Sequence, residues 1–172
     1  MKLIEVSSKR DLRKFIQFPV QLYRTEKNWI RPLDTEIENV FKPQTNDSFD
    51  SGDCISWILE RKGVTIGRIA AFFDTRKVNR DFNQPTGGVG FFECIDDQEA
   101  ANLLFDTARD WLIDNNMEAM DGPINFGDRS KWWGLLTKGY EIEPSYQCNY
   151  HIPYYKELFG NYGFEVYFNQ FT

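Results

Sequence analysis

Histidine is nearly missing from this chain: His151 is the only one among 172 residues. A multi-histidine metal centre is excluded, and a Ser-His-Asp or Cys-His site would have to be built on that one ring, which nothing else in the sequence supports. Cysteine is scarce too. Cys54, Cys94 and Cys148 lie far apart with no C-x-x-C pair, which argues against a zinc knuckle, a redox motif or a disulfide framework. No carboxylate cluster has convincing metal-ligand spacing, so no metal is expected. Positive charge is in deficit: 20 Lys and Arg against 26 Asp and Glu give a net charge of -6. Tracking nucleic-acid phosphates needs a basic face, so nucleic acid is not an expected partner. No apolar run approaches the ~18 to 20 residues of a membrane span, and residues 1–6 lack the apolar stretch of a secretory signal. The expected location is the cytoplasm, with no membrane partner. A phosphate-cradling glycine loop is absent as well, because Gly87-Gly88-Val89-Gly90 precedes a strand and opens no helix.

Aromatic residues are abundant, at 16% of the chain. They concentrate, mixed with polar and turn-forming residues, in residues 121–134 (DGPINFGDRSKWWG) and again in Tyr150-His151-Ile152-Pro153-Tyr154-Tyr155. A pure core would use Leu and Val there, so this region reads as the wall of a small-molecule pocket.

The length suits one domain over residues 1–172. Residues 3–6 read as a short strand, and Ser7 or Ser8 can cap a helix to about residue 24, with Pro19 threatening to split it. A second helix is expected over 34–41 and an exposed loop over 42–53. Two strands, 54–60 and 64–73, flank the turn Arg61-Lys62-Gly63. A polar loop over 74–88 leads to a strand at 89–95. Ala101, Leu104, Phe105, Ala108, Trp111 and Leu112 recur at helical spacing and predict a helix from Asp96 or Asp97 to about 115. A short strand at 119–120, a helix over 153–162 with Gly163 as its C-cap, and a final strand at 165–171 complete the order.

That order, with the pieces VTIGRIAA at 64–71, GFFE at 90–93, ARDWL at 108–112, DGPIN at 121–125, and Pro153-Tyr154-Tyr155 with Tyr162-Gly163-Phe164, resembles a bacterial branch of the GNAT (acyl-CoA N-acyltransferase) superfamily. The resemblance implies an α/β fold: a mixed, mainly antiparallel twisted sheet flanked by helices. It also implies acyl transfer from acetyl-CoA or another acyl-CoA to a small amine or amino-acid-like acceptor. Members of this branch are usually longer, so the chain is expected to be truncated at its C-terminal end, with a homodimer or a missing C-terminal segment as the partner for an open edge.

The superfamily's pyrophosphate loop, Q/R-x-x-G-x-G/A before the long helix, has no counterpart here. The sequence there is Asp96-Asp97-Gln98-Glu99-Ala100-Ala101, without glycine and with three carboxylates that would cap the helix and repel a diphosphate. The residues that would bind the cofactor are therefore unassigned. The resemblance points to Tyr154 or Tyr155 as the acid for the departing thiolate, and to Glu93 as general base. Packing in the core is the plain alternative for either tyrosine, and a solvent-facing or salt-bridged position for Glu93. Acceptor contacts are expected from Asn125, Asp128, Arg129, Trp132, Trp133 and Asn149, a surface Asx-turn being the alternative for the first three. A competing function is a GNAT-fold module without catalysis that binds a ligand or another domain.

Overall fold

A computed structural model describes residues 1–76 and 84–171. The elements are β1 (Lys2–Glu5), α1 (Lys9–Leu22), α2 (Asp34–Val40), a 3-10 turn (Asp47–Asp50), β2 (Gly52–Arg61), β3 (Val64–Asp74), β4 (Thr86–Cys94), α3 (Gln98–Asp114), β5 (Ala119–Asp121) and α4 (Tyr155–Tyr162). The five strands form one sheet in chain order, antiparallel from β1 to β4 and parallel between β4 and β5. This is the mixed sheet that the sequence led us to expect.

Each face of the sheet carries its own core. Against α3 and α4 lie Leu59, Ile69, Ala71, Val89 and Phe92, packed on Leu104, Phe105, Ala108, Leu158 and Phe159. Against α1 and α2 lie Ile58, Ala70 and Phe72, packed on Phe15, Ile16, Ile37, Val40, Phe126 and Trp132. Successive strand residues point to opposite faces, so a sheet covered on both sides reads as nearly continuous apolar runs, as in β3.

Helix α1 starts at a reciprocal capping box, in which Ser8 Oγ accepts from the Asp11 N–H at 3.1 Å and the Asp11 carboxylate accepts from the Ser8 N–H at 3.3 Å. Pro19 does not split the helix, contrary to expectation: it lies inside and the helix runs on to Leu22. Proline has no N–H to give the carbonyl four residues earlier. That carbonyl, Phe15 O, instead accepts from Arg68 Nη1 at 2.8 Å.

Two other boundaries differ. Strand β4 begins at Thr86, three residues earlier than expected, because Gly87 and Gly88 pair with Met120 and Asp121 of β5. A Cβ on Gly87 would stand 2.3 Å from a Leu112 methyl, so the glycine lets α3 lie close over the strand. The loop expected at 74–88 falls partly outside the described residues. The final strand at 165–171 does not form. Those residues make no ladder, and Val166, Tyr167, Phe168 and Phe171 are exposed. An alternating pattern becomes a strand only beside a partner edge, and none lies next to it among the described residues.

Candidate acceptor pocket and the start of the long helix

A bulge in β4 decides which side chains face the α1 side. The β3–β4 register passes from Ala70↔Gly90 to Arg68↔Glu93, so two residues of β4, Phe91 and Phe92, stand opposite Ile69 alone. Phe91 takes the left-handed φ of 50° that this geometry requires. Without the extra residue Phe92 would face Arg68, and Glu93 would turn to the opposite face. With it, Arg68 and Glu93 are direct cross-strand neighbours.

They form a part-buried ion pair, Arg68 Nε to Glu93 Oε2, with side chains 6% and 14% exposed. Arg68 also lies against the rings of Phe15, at 4.6 Å, and Phe91, at 5.9 Å. Two rings, the Phe15 carbonyl freed by Pro19 and the Glu93 carboxylate therefore hold the guanidinium in place. The bend at Phe91 and the aromatic bed are built into β4 and α1, so this charge pair is set by the fold.

The pair lies in the wall of a cavity of about 60 Å³ between α1, α2 and β4. Ile16, Val20, Trp29 and Ile37 give it an apolar lining; Trp132, Asn149 and Tyr150 close it from the chain after β5. Of the residues singled out in the sequence, Glu93, Trp132 and Asn149 come together here. Trp132 is positioned by its N–H, which donates to Gln147 O at 2.7 Å, and Asn149 by Nδ2, which donates to Gly134 O at 3.1 Å.

The other candidates are placed elsewhere. Asn125 and Arg129 line a separate cavity of about 10 Å³ beside Phe72 and Gly88, room for roughly one water. Asn125 Nδ2 donates to Asp128 O at 3.0 Å, and its buried Oδ1 has no partner among the described residues. Asp128 sits in an exposed turn and accepts from the Ser130 N–H and hydroxyl. Trp133 stacks on Phe168 with ring centroids 6.1 Å apart.

The two tyrosines serve the last residue of β4, next to Glu93. Beyond Asp121 the chain leaves the β4 ladder. Ile124 N–H still donates to Val89 O at 2.8 Å, and the Ile124 carbonyl crowds Gly90 so closely that a Cβ there would stand 2.0 Å from it. The last peptide groups of β4 are taken up by α4 instead. Cys94 N–H donates to the Tyr155 hydroxyl at 3.0 Å, and the Tyr154 hydroxyl donates to Cys94 O at 2.7 Å. Tyr155 is fully buried, and the Tyr23 hydroxyl donates to its oxygen at 3.5 Å. Tyr154 is only partly buried, and burial raises its phenol above the ordinary value. His151 is buried beside Tyr155; its Nδ1 accepts from the Leu136 N–H at 3.0 Å, and burial holds its pKa down to about 3. It is a neutral structural ring.

The start of α3 is occupied by the chain itself. Asp97 caps it by accepting from the Ala100 N–H at 3.0 Å and pairs with Arg61 at 2.7 Å. These two contacts, Arg61 first, hold its carboxyl below the usual range. Gln98 ties the same turn to α4, its Nε2 donating to Leu158 O at 3.1 Å. A diphosphate resting there would have to displace a carboxylate from both the N–H and the arginine. The residues present do not fit that group.

Sequence reading missed Arg68 and Tyr23, and saw in Pro19 a helix breaker without the carbonyl it frees for Arg68. A signal for Arg68 was there: an arginine inside the apolar run Ile66-Gly67-Arg68-Ile69-Ala70 must be buried and therefore paired.

No protein-family model matches the chain. Among solved structures, it superposes on the aminoglycoside acetyltransferase AAC(6')-Iy, solved with the bisubstrate analogue CoA-S-monomethyl-acetylneamine, with a TM-score of 0.59, covering 99% of this chain and 95% of that one at 13% identity. A predicted acetyltransferase from Clostridium acetobutylicum, solved with acetyl-CoA, gives 0.57 at 11% identity over 99% and 95% of the two chains. The aminoglycoside 6'-N-acetyltransferase AAC(6')-IG from Acinetobacter haemolyticus gives 0.57 at 12% identity over 100% and 99%. The chain has the GNAT acetyltransferase fold. In sequence it is 33% identical over 150 residues to Protein YghO of Escherichia coli (strain K12), and 31% identical over 144 residues to the bacterial ceramide synthase of Caulobacter vibrioides. The matches cover 86% and 84% of this chain and 37% of each relative, so the chain spans little more than a third of their length.

Proposed function

We propose that this chain is the acceptor-binding part of an N-acyltransferase, and that its pocket receives a primary amine. The observation that carries this reading is the Glu93 carboxylate, fixed by Arg68 through Oε2, with Oε1 making no hydrogen bond to the described residues in the wall of an aromatic cavity. A carboxylate so placed attracts an ammonium group and can take its proton, leaving the nitrogen lone pair for an acyl carbon. Trp29 and Trp132 enclose the amine and exclude water. Tyr154, the less buried of the two tyrosines, is the hydroxyl we assign to protonating the leaving thiolate, a step in which its proton leaves the bond to Cys94 O; Tyr155 positions the end of β4.

Support comes from the fold and from the name of one relative, since a ceramide is the product of acylating an amine. The donor we propose is an acyl thioester, acyl-CoA being the form bound by structurally similar enzymes. The diphosphate of such a donor does not have the start of α3 as its seat in this chain. That same observation favours a second reading, a GNAT-fold module that binds an amine without acylating it.

The test is to incubate the chain with acyl thioesters and primary amines and to detect amide by mass spectrometry. Amide formed by the wild type and reduced ~10² to 10⁴-fold in Glu93→Gln supports acyl transfer with Glu93 as base. Amine binding without amide selects the second reading, and amide formation indifferent to Glu93→Gln rejects the role of Glu93.

A further inference from the structure

An amine site accounts for Glu93 and leaves the guanidinium beside it only half used. Arginine carries five N–H donors in a rigid fork. In Arg68, Nε–H goes to Glu93 and one Nη1–H to Phe15 O at 2.8 Å, while Nη2 makes no hydrogen bond to the described residues. Nη2 is not among the atoms shut off from solvent, so water can hold its place from the cavity until a ligand does. A residue needed only to neutralise Glu93 could be a lysine, whose single point charge does that with less to satisfy. Arg68 and Glu93 line the same cavity, so its wall offers an unused cationic donor and an unused anionic acceptor on neighbouring side chains. Both are held in fixed orientation by the aromatic rings and by the carbonyl that Pro19 leaves free.

We infer that Arg68 determines acceptor specificity by donating from Nη2 to an oxygen on the carbon next to the amine-bearing carbon. The substrate class is then an apolar molecule with an N–C–C–O head, either a hydrophobic amino alcohol or the corresponding α-amino acid. The inference rests on the amine reading above. Size agrees with it: about 60 Å³ corresponds to about four to six water positions. That is room for a four- or five-atom polar head, with the apolar body emerging past Trp29, Ile30 and Pro32. An oligosaccharide amine of the kind named for the structural neighbours has no comparable apolar body to place there.

Calorimetric titration of the whole chain with leucinol, leucine and 3-methylbutylamine tests this. The three share one apolar body; the first adds a hydroxyl, the second a carboxylate, and the third has only the amine. The expected result is that leucinol or leucine binds at least about tenfold tighter than 3-methylbutylamine, one charged hydrogen bond's worth. The tighter of the two identifies the oxygen as hydroxyl or carboxylate. Arg68→Lys keeps the cation and removes the fork, so the preference should fall below about threefold, with near-UV circular dichroism confirming the fold; if that variant does not fold, the wild-type ranking decides. Equal binding of all three overturns the inference and leaves the amine reading standing, as does a preference that survives in folded Arg68→Lys. Binding of none of the three overturns the amine reading itself, and the inference with it.

Discussion

The two sides of the sheet at the C-terminal end of β4 treat charge in opposite ways. On the α1 side, Arg68 and Glu93 satisfy each other only in part and turn their remaining donor and acceptor toward a cavity. On the α3 side, where β4 passes into α3, Asp97 takes both the Ala100 N–H and the Arg61 guanidinium, and two tyrosine hydroxyls take the N–H and the carbonyl of Cys94. One side has bonding capacity to spare for a ligand, and the other spends its own within the chain. In a fold shared with proteins solved with coenzyme A compounds, the α1 side of β4 is open and the start of α3 is closed.

The largest effect should come from breaking the open side. Arg68→Met leaves a part-buried Glu93 carboxylate without its partner and should cost about 1 to 3 kcal/mol of stability in urea unfolding. No measurable loss would mean that the pair does not hold β3 and β4 together. Glu93→Gln keeps the shape and removes the base, so amide formation should fall by two to four orders of magnitude while the fold survives. Acid tests the chain beside Tyr155. His151 has a folded pKa of about 3 against an ordinary 6.5, so the unfolded chain binds the proton more readily. Its contribution to stability is intact above pH 6.5 and is lost as pH falls toward 3, at about 1.4 kcal/mol per pH unit. Unfolding midpoints of His151→Gln should show a shallower slope across that window; equal slopes would contradict it. The smallest effect is expected on the closed side. Asp97→Ala removes a cap worth about 1 kcal/mol. It also frees Ala100 N–H and Arg61, so inorganic pyrophosphate should bind weakly where the wild type takes none. Unchanged pyrophosphate behaviour would show that the closure rests on more than Asp97.

Much of this contrast was legible in the sequence, and unevenly. The run Asp96-Asp97-Gln98-Glu99 is local, and its capping role follows from residue type and from distance to the helix start, both visible in one dimension. The helical spacing of Ala101, Leu104, Phe105 and Ala108 and the apolar run of β3 are local in the same way. The open side depends on register. Arg68 and Glu93 meet only because β4 carries an extra residue at Phe91, a position where no glycine or asparagine marks a left-handed backbone. Pro19 looked like a helix breaker because its effect on the helix is local, whereas the freed Phe15 carbonyl is used by Arg68, 53 positions away on a strand. Tyr154 and Tyr155 are adjacent, and only the three-dimensional position of the Cys94 peptide tells the partly buried one from the buried one. The expected strand at 165–171 had the right alternation and lacked an edge to pair with.

The contrast between the two sides is tested most directly by following backbone amide resonances in one sample, first with leucinol and then with coenzyme A. Leucinol should shift Phe91, Glu93 and Trp132 in a saturable way, and coenzyme A should leave Ala100 and Ala101 unmoved. Saturable shifts at Ala100 and Ala101 with coenzyme A, and none at Glu93 with leucinol, would contradict the assignment of both sides.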